Sequence, residues 1–410
     1  MVEAVMAPAD RAARPHGLST LLLCAAAALV EGFDNQSMGV AAPRVIAEFG
    51  LSPAWAGLVF SSATFGLFLG AALGGRIADH IGRKRALIAS LLLFGLFSLL
   101  TAIASGAATL SAARLFTGLG LGGAMPNFIS LSSEAAHSRQ RLSAVTLVMA
   151  GMPFGGALSA IMSLSAQIGW SWRWIFAVGG ATPLILALIM MYLLPEQVKF
   201  AGVARSFGSL QVDSVRTALF GSGRATTTLM LWVAFFFTQL VLLLMLNWLP
   251  SLVIGLGFTR TQAGAASVCF GLSGALGAVL LGHLHAGKSR RWWVAATYGG
   301  MAAALAAVAS VGTAFWMIAS ACAVAGIFII GAQLILFALA PLYYHAAIRG
   351  TGVGAAVAVG RLGSVVGPLF AGGLLASGGS SAAVFVAIVP FVVLGGSAAF
   401  ALTWREQCGD

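Results

Sequence analysis

The stretch "GRIADHIGRKR", residues 75 to 85, crowds Arg76, Asp79, His80, Arg83, Lys84 and Arg85 between two runs, 54–75 and 86–106. The first run and the second from Ala86 onward hold no Asp, Glu, Lys or Arg. At 1.5 Å per residue an apolar helix of about 20 residues crosses a hydrocarbon layer of about 30 Å. The stretch therefore reads as a short, basic turn joining two membrane-crossing helices.

Working outward, the same apolar period recurs along the whole chain, as 18–40, 54–75, 86–106, 109–131, 142–164, 173–194, 225–250, 262–284, 292–310, 313–341, 350–376 and 381–403. Inside a bilayer each backbone N–H and C=O must be bonded within its own segment, so the runs are helices. Of the 410 residues 60% are hydrophobic and 8% charged, against roughly 25% charged in soluble domains. The expectation is an all-α membrane protein with twelve transmembrane helices in two pseudo-symmetric six-helix bundles. The first run keeps Glu31 and Asp34 and has no small-residue cleavage pattern after it, so it is expected to be a retained span, not a signal peptide.

The net charge of +11 suggests nucleic acid only until the basic residues are placed. With both termini in the cytoplasm, seventeen of the 22 Lys and Arg fall on the cytoplasmic side, three (Arg44, Arg173, Arg260) outside, and two (Arg114, Arg361) within spans. The positive-inside rule thus fixes the orientation. The longest polar interval, 195–224, separates two sets of six spans, giving a tail at 1–17, bundles at 18–194 and 225–403, a cytoplasmic linker between them and a tail at 404–410. "SSEAAHSR" (132–139) is echoed by "LYYHAAIR" (342–349), and "GRIADHIGRKR" by "GHLHAGKSRR" (282–291). Parallel halves with a midplane site between them describe a secondary transporter.

Gly75, Asp79, Gly82, Arg83, Lys84 and Arg85 match the loop signature of the major facilitator superfamily, G-x-x-x-D-x-x-G-R-K-R. "RLFTGLGLGGAMPN" (114–127), "NWLP" (247–250) and "RGTGVGAAVAVGRLGSVVGP" (349–368) resemble its aromatic acid:proton symporters. "EGFD" (31–34), with Glu31 where many of that family have aspartate, is similar to a branch that carries 3-(3-hydroxyphenyl)propionate or a related hydroxylated aromatic acid. The resemblance implies transport by alternating access in a bacterial inner membrane. It also implies a cytoplasmic gate at Gly75, Asp79, Gly82, Arg83 and Arg85, where Asp79 can accept bonds from a neighbouring helix end or arginine and hold the halves together. Glu134, at the inner end of the fourth span, is the expected partner of Arg83 or Arg85. A monomer is expected, without cofactor or metal, driven by the proton gradient.

Depth singles out four charges. Counted from the span ends, Glu31 lies about 20 Å and Asp34 about 24 Å from the inner surface, Arg361 about 17 Å from it, and Arg114 about 8 Å from the outer one. Arg114 is then level with Asp34 and Arg361 with Glu31, and the three-residue spacing puts both acids on one helix face. A charge near the bilayer centre costs about 2.5–3.5 kcal/mol, so four are not kept idly. Mutual pairing as a purely structural device is one reading. The other is coupling: Arg361 takes the substrate carboxylate through its bidentate fork, Arg114 controls Asp34, and the acid left without its arginine takes a proton.

Asn35, Gln36, Asn127, Gln239, Asn247 and Gln333 are span residues able to bond a ring hydroxyl or simply a neighbouring helix, and Phe33 and Phe154 are candidates for stacking on an aromatic ring. Trp170, Trp172 and Trp174 are expected in an outer aromatic belt, and His283 and His285 as a solvated interfacial pair. Cys24, Cys269, Cys322 and Cys408 have no metal or disulfide spacing. No nucleophile, base and oxyanion donor assemble, so no enzyme is expected, and no phosphate loop supports an ATP-driven pump. A proton-coupled drug exporter of the same fold is the alternative; two buried arginines favour an anionic substrate over its cations. A receptor that binds the acid without moving it is the other class, which the gate loop and short tails disfavour.

Overall fold

The computed structural model describes residues 17–136, 147–149, 151–164, 171–194, 219–221, 223–284, 290–310, 314–344 and 349–408. Residues 195–218 and 222 of the expected linker (195–224), Trp170 and His285 lie outside them, as do the side chains of Asp79, His283 and Cys408 and the surroundings of Gly75. The helices are α1 (Gly17–Phe49), α2 (Pro53–Ile81), α3 (Arg83–Ala102), α4 (Ala107–Ala135), α5 (Gly151–Leu164), α6 (Arg173–Leu193), α7 (Ala225–Gly255), α8 (Arg260–Leu284), α9 (Arg290–Ser310), α10 (Phe315–Leu339), α11 (Arg349–Ala376), α12 (Ser381–Ala387) and α13 (Val389–Cys408). The last two form one span, so each of the twelve expected spans is represented by a helix among the described residues.

Among the described residues nine spans are long and apolar enough by themselves to cross a membrane. The other three are α4, α5 and α8: α5 is described over 14 residues, and α4 and α8 are diluted by Gly, Ser and Arg. α1 continues nine residues past the expected end at Val40, to Phe49. Glu31 and Asp34 therefore sit at the middle of a 33-residue helix about 50 Å long.

Close helix contact positions these charges. Gly66, Gly70 and Gly74 of α2 lie against Leu115, Leu119 and Gly123 of α4, and Gly118 and Gly122 of α4 against Ala63 and Leu67 of α2. A Cβ at Gly66 or Gly118 would run into the facing backbone carbonyl. Small residues that let backbones touch are how helices associate without a hydrophobic drive. This zipper fixes α4 against α2 and so fixes Arg114, one turn before Gly118.

One end of the molecule is marked by Gly82 and the other by Glu48. Toward the Glu48 end the halves meet: Ser61 Oγ of α2 donates to Val365 O of α11 at 2.8 Å, and Phe60 of α2 meets Trp248 of α7 edge to face at 5.0 Å. A Cβ at Gly57 of α2 would stand 2.8 Å from Pro368 O and 3.3 Å from Gly372 Cα of α11. One apolar core runs through both halves here, from Met38, Val45 and Phe60 to Leu244, Trp248 and Ala371. A second cluster, including Leu87, Leu91, Phe94, Phe128 and Met190, belongs to the first half alone and lies toward the Gly82 end.

Gly82 joins α2 to α3 as a single residue with φ 91° and ψ 149°, a region open essentially to glycine. Its N–H donates to Ala78 O at 2.9 Å and its carbonyl accepts from Ala86 N at 3.0 Å, so it ends one helix and starts the next. Lys84 Nζ donates to Met191 O (3.1 Å) and Leu194 O (2.5 Å), capping α6. Arg83 pairs with Glu134, as expected. These described loop contacts tie α3, α4 and α6 within one half; they do not bridge the halves, whose shared core lies at the other end.

The aromatic belt needs correction. Trp174 is exposed, but Trp172 is 2% exposed, because its Nε1 donates to Glu48 Oε2 at 2.6 Å beneath the Arg173 guanidinium, 4.5 Å from its ring. Arg173 also bonds Glu48 Oε1 (2.5 Å) and Ala104 O (3.1 Å), tying α6 to α1 and to the turn before α4.

Replacing Gly82 by alanine is expected to lower stability by about 1–3 kcal/mol, the cost of forcing a side chain into that backbone region. Thermal unfolding of the purified variant in detergent checks this, and an unchanged midpoint contradicts it.

Candidate functional site

Arg114 and Asp34 form a bidentate pair, Nη1 to Oδ1 at 2.8 Å and Nη2 to Oδ2 at 2.9 Å. Both side chains are 3% exposed or less. Asp34 comes from the middle of α1 and Arg114 from the second turn of α4, as the depth count expected. The guanidinium also lies over the Phe176 ring of α6, 5.4 Å from its centroid, while its Nε has no hydrogen-bond acceptor. Phe176 was not singled out from sequence; nothing distinguishes it there from 25 other phenylalanines.

One turn from Asp34, Glu31 is 1% exposed and neither carboxylate oxygen accepts a hydrogen bond. Its countercharge is Arg361 of α11, which acts on it electrostatically across the space between the halves. Residues 214–405 contain no Asp or Glu, so Arg361 has no acid in its own half to turn to. Its Nη2 rests instead on Met125 Sδ of α4 at 3.2 Å, a weak acceptor. Met125 lies eleven residues after Arg114, three helical turns along the same face. That periodicity was the available signal for a residue not singled out from the sequence.

Two buried glutamines of the second half also carry unsatisfied atoms. Gln239 of α7 and Gln333 of α10 are 4% and 5% exposed; Gln239 Oε1 and both amide atoms of Gln333 have no partner. The Phe235–Phe337 ring contact (5.5 Å) sets α7 against α10, and each glutamine lies one turn from it toward the Glu48 end. Gln239 packs beside Gly360, the residue before Arg361. The two amides and the guanidinium therefore share one region of the second half.

The remaining candidates behave differently. Asn127 and Asn247 donate to carbonyls of their own helices, Gly123 O and Leu243 O, each at 2.8 Å. Phe33 is buried against Gly179 of α6, inside the first bundle, because α1 turns that face away from the seam. Phe154 is 58% exposed in an apolar stripe with Leu147, Leu158 and Ile161. That face suits lipid, and neither phenylalanine is placed to stack on a ring beside Arg361. Gln36 lies where α1, α5 and α8 meet, next to Gly156 and Gly271. Among the described residues no cluster of His, Cys, Asp and Glu could hold a metal.

Breaking a buried ion pair by removing one partner costs about 3–5 kcal/mol, since the other charge is stranded. Asp34→Asn and Arg114→Gln are each expected to destabilise by that order, and the double variant to regain much of the loss. Unfolding midpoints of the purified proteins check this; losses that simply add in the double variant contradict the pairing.

Residues 24–368 match the Major Facilitator Superfamily. Across 95% of its length the chain is 44% identical to the 3-(3-hydroxy-phenyl)propionate transporter of Escherichia coli (strain K12), covering 96% of that protein. It is 31% identical to the gallate transporter of Pseudomonas putida (87% and 85% of the two chains) and 30% to a 4-hydroxybenzoate transporter of Pseudomonas aeruginosa (92% and 90%). In fold it matches a D-xylose-proton symporter, with TM-score 0.76 at 18% identity over 94% and 97% of the chains. It also matches an inward-facing bacterial homolog of the human lysosomal transporter Spinster, with TM-score 0.75 at 19% identity over 95% and 97%. The chain, a multi-pass membrane transporter and not an enzyme, belongs to the major facilitator superfamily, within its group of aromatic-acid transporters.

Proposed function

We propose that the protein imports a hydroxylated aromatic carboxylate together with a proton, with 3-(3-hydroxyphenyl)propionate as the representative substrate. The observation that carries this reading is the contrast between two buried acids one turn apart. Asp34 has both oxygens bonded to Arg114, whereas Glu31 has neither oxygen bonded and balances Arg361 through space. Arg361, whose hydrogen bond among the described residues is to a thioether, is the fork offered to a substrate carboxylate.

When the substrate anion occupies Arg361, Glu31 loses its countercharge at a depth where a lone carboxylate is costly, and it takes a proton. One anion and one proton then cross together and the site stays neutral. Asp34, bonded in its arginine fork, keeps α1 and α4 in register. Gln239 and Gln333 offer the amides that a ring hydroxyl needs, which favours hydroxylated acids because an unmade bond there leaves buried polar groups stranded. The similarity to a 3-(3-hydroxy-phenyl)propionate transporter supports the same substrate class.

In this reading the protein works as a monomer in a bacterial inner membrane with both termini in the cytoplasm. The Gly82 end faces inward and the proton gradient is the only energy source. The described arrangement, joined at the Glu48 end, is then the one open toward the cytoplasm.

Uptake of radiolabelled 3-(3-hydroxyphenyl)propionate into proteoliposomes tests the proposal. Wild type should accumulate the acid only with an inward proton gradient. Glu31→Gln should lose accumulation but keep exchange of internal for external substrate, and Arg361→Lys should weaken apparent affinity by about tenfold or more. Accumulation that survives in Glu31→Gln removes Glu31 from coupling. Proton-driven exit of an organic cation, with no uptake of the acid, would establish an exporter instead.

A further inference from the structure

Among the described residues the hydrogen bond that Arg361 makes crosses between the halves, from its Nη2 to Met125 Sδ of α4 at 3.2 Å. Both side chains keep some exposure, whereas Arg114 and Asp34 are 3% exposed or less. The Arg361 fork is thus not sealed off as the Arg114 pair is. Met125 also has a rigid seat. Gly122 packs against Leu67 and Ala71 of α2, and Gly123 against Ser90 Oγ of α3. Pro126 follows within the helix and has no N–H to give to the carbonyl of Gly122, while Asn127 Nδ2 donates to Gly123 O at 2.8 Å. Neighbouring helices therefore hold the backbone leading into residue 125, and the side chain, with its rotatable bonds, is left to adapt.

A thioether is the acceptor suited to such a place. It takes an N–H weakly and carries no charge, so it holds the guanidinium without neutralising it and leaves the rest of the planar fork open. A carboxylate there would form a closed pair, as Asp34 does with Arg114, and an aliphatic side chain would leave a long, rotamer-rich arginine without orientation. The geometry points to Met125 as the positioning residue of the substrate fork: its sulfur fixes how the Arg361 guanidinium is presented and thereby sets the affinity for the substrate carboxylate. This rests on the reading of Arg361 as the group that takes that carboxylate. The sulfur belongs to the first half and the guanidinium to the second, so the fork is oriented only while α4 and α11 stand together. Carboxylate affinity then differs between arrangements of the halves that keep this contact and those that break it.

The test is binding of radiolabelled 3-(3-hydroxyphenyl)propionate to the purified full chain in detergent, for wild type, Met125→Leu, Met125→Gln, Arg361→Lys and Met125→Leu combined with Arg361→Lys. Leucine conserves the volume of methionine but has no acceptor, and glutamine restores a neutral one. Met125→Leu is expected to weaken binding about fivefold and Met125→Gln to recover most of that loss. In the Arg361→Lys background Met125→Leu is expected to cost nothing further, because an ammonium has no fork to orient. The same factor in both backgrounds, no recovery with glutamine, or unchanged binding in Met125→Leu overturns the role of Met125 and leaves Arg361 as the carboxylate group. Unchanged binding in Arg361→Lys overturns the reading of Arg361 itself, and the role of Met125 with it. Should Met125→Leu not fold, Met125→Ala removes the same sulfur and closes the same cycle.

Discussion

The second half of this protein carries Arg361 at depth and not one carboxylate between residues 214 and 405. Charge balance there has to come from outside the half, and the source at midplane is Glu31 of α1. That requirement organises the rest. The first half contributes two acids on one face of one helix and one arginine, so after Asp34 and Arg114 neutralise each other one negative charge is left over. The surplus sits opposite Arg361. A neutral centre thus exists only as a sum over both halves, which makes it sensitive to any anion that enters between them.

The helix packing serves the same arrangement. The glycine zipper between α2 and α4 lets the backbones touch and fixes where Arg114 reaches α1. The approach of Gly57 to Pro368 and Gly372 brings α2 against α11, and so seats Arg361 against Met125 of α4. The core common to both halves lies at the Glu48 end, while the Gly82 end has a core of its own in the first half. The loop at Gly82 is ordered by contacts inside that half, through Arg83 to Glu134 and Lys84 to the end of α6. A rigid first half that can part from the second at this end is what a rocking exchange of access requires.

Much of this was legible in the sequence because depth in a bilayer is nearly one-dimensional. Counting 1.5 Å per residue matched Asp34 with Arg114 and Glu31 with Arg361, and polarity alone selected Gln239 and Gln333. Rotation about each helix axis was less accessible. Phe33 and Phe154 have the right depth and the wrong azimuth, one turned into the first bundle and the other outward. Trp172 sits at a helix end where belts form, yet its indole N–H found Glu48 and buried the ring. Met125 carries no signal of polarity because a thioether has no charge, although its position three turns from Arg114 puts it on the same face. Asn127 and Asn247 show the remaining limit, since a polar side chain in a helix can satisfy itself on its own backbone.

The central claim is that a bound substrate carboxylate takes the place of Glu31 beside Arg361 and leaves Glu31 to bind a proton. The most direct measurement is the number of protons taken up when substrate binds, from calorimetric titration at one pH in buffers of different ionisation enthalpy, for wild type and Glu31→Gln. The account predicts uptake of about one proton per acid bound in wild type and none in the variant. Binding without proton uptake in wild type, or equal uptake in both proteins, would contradict it.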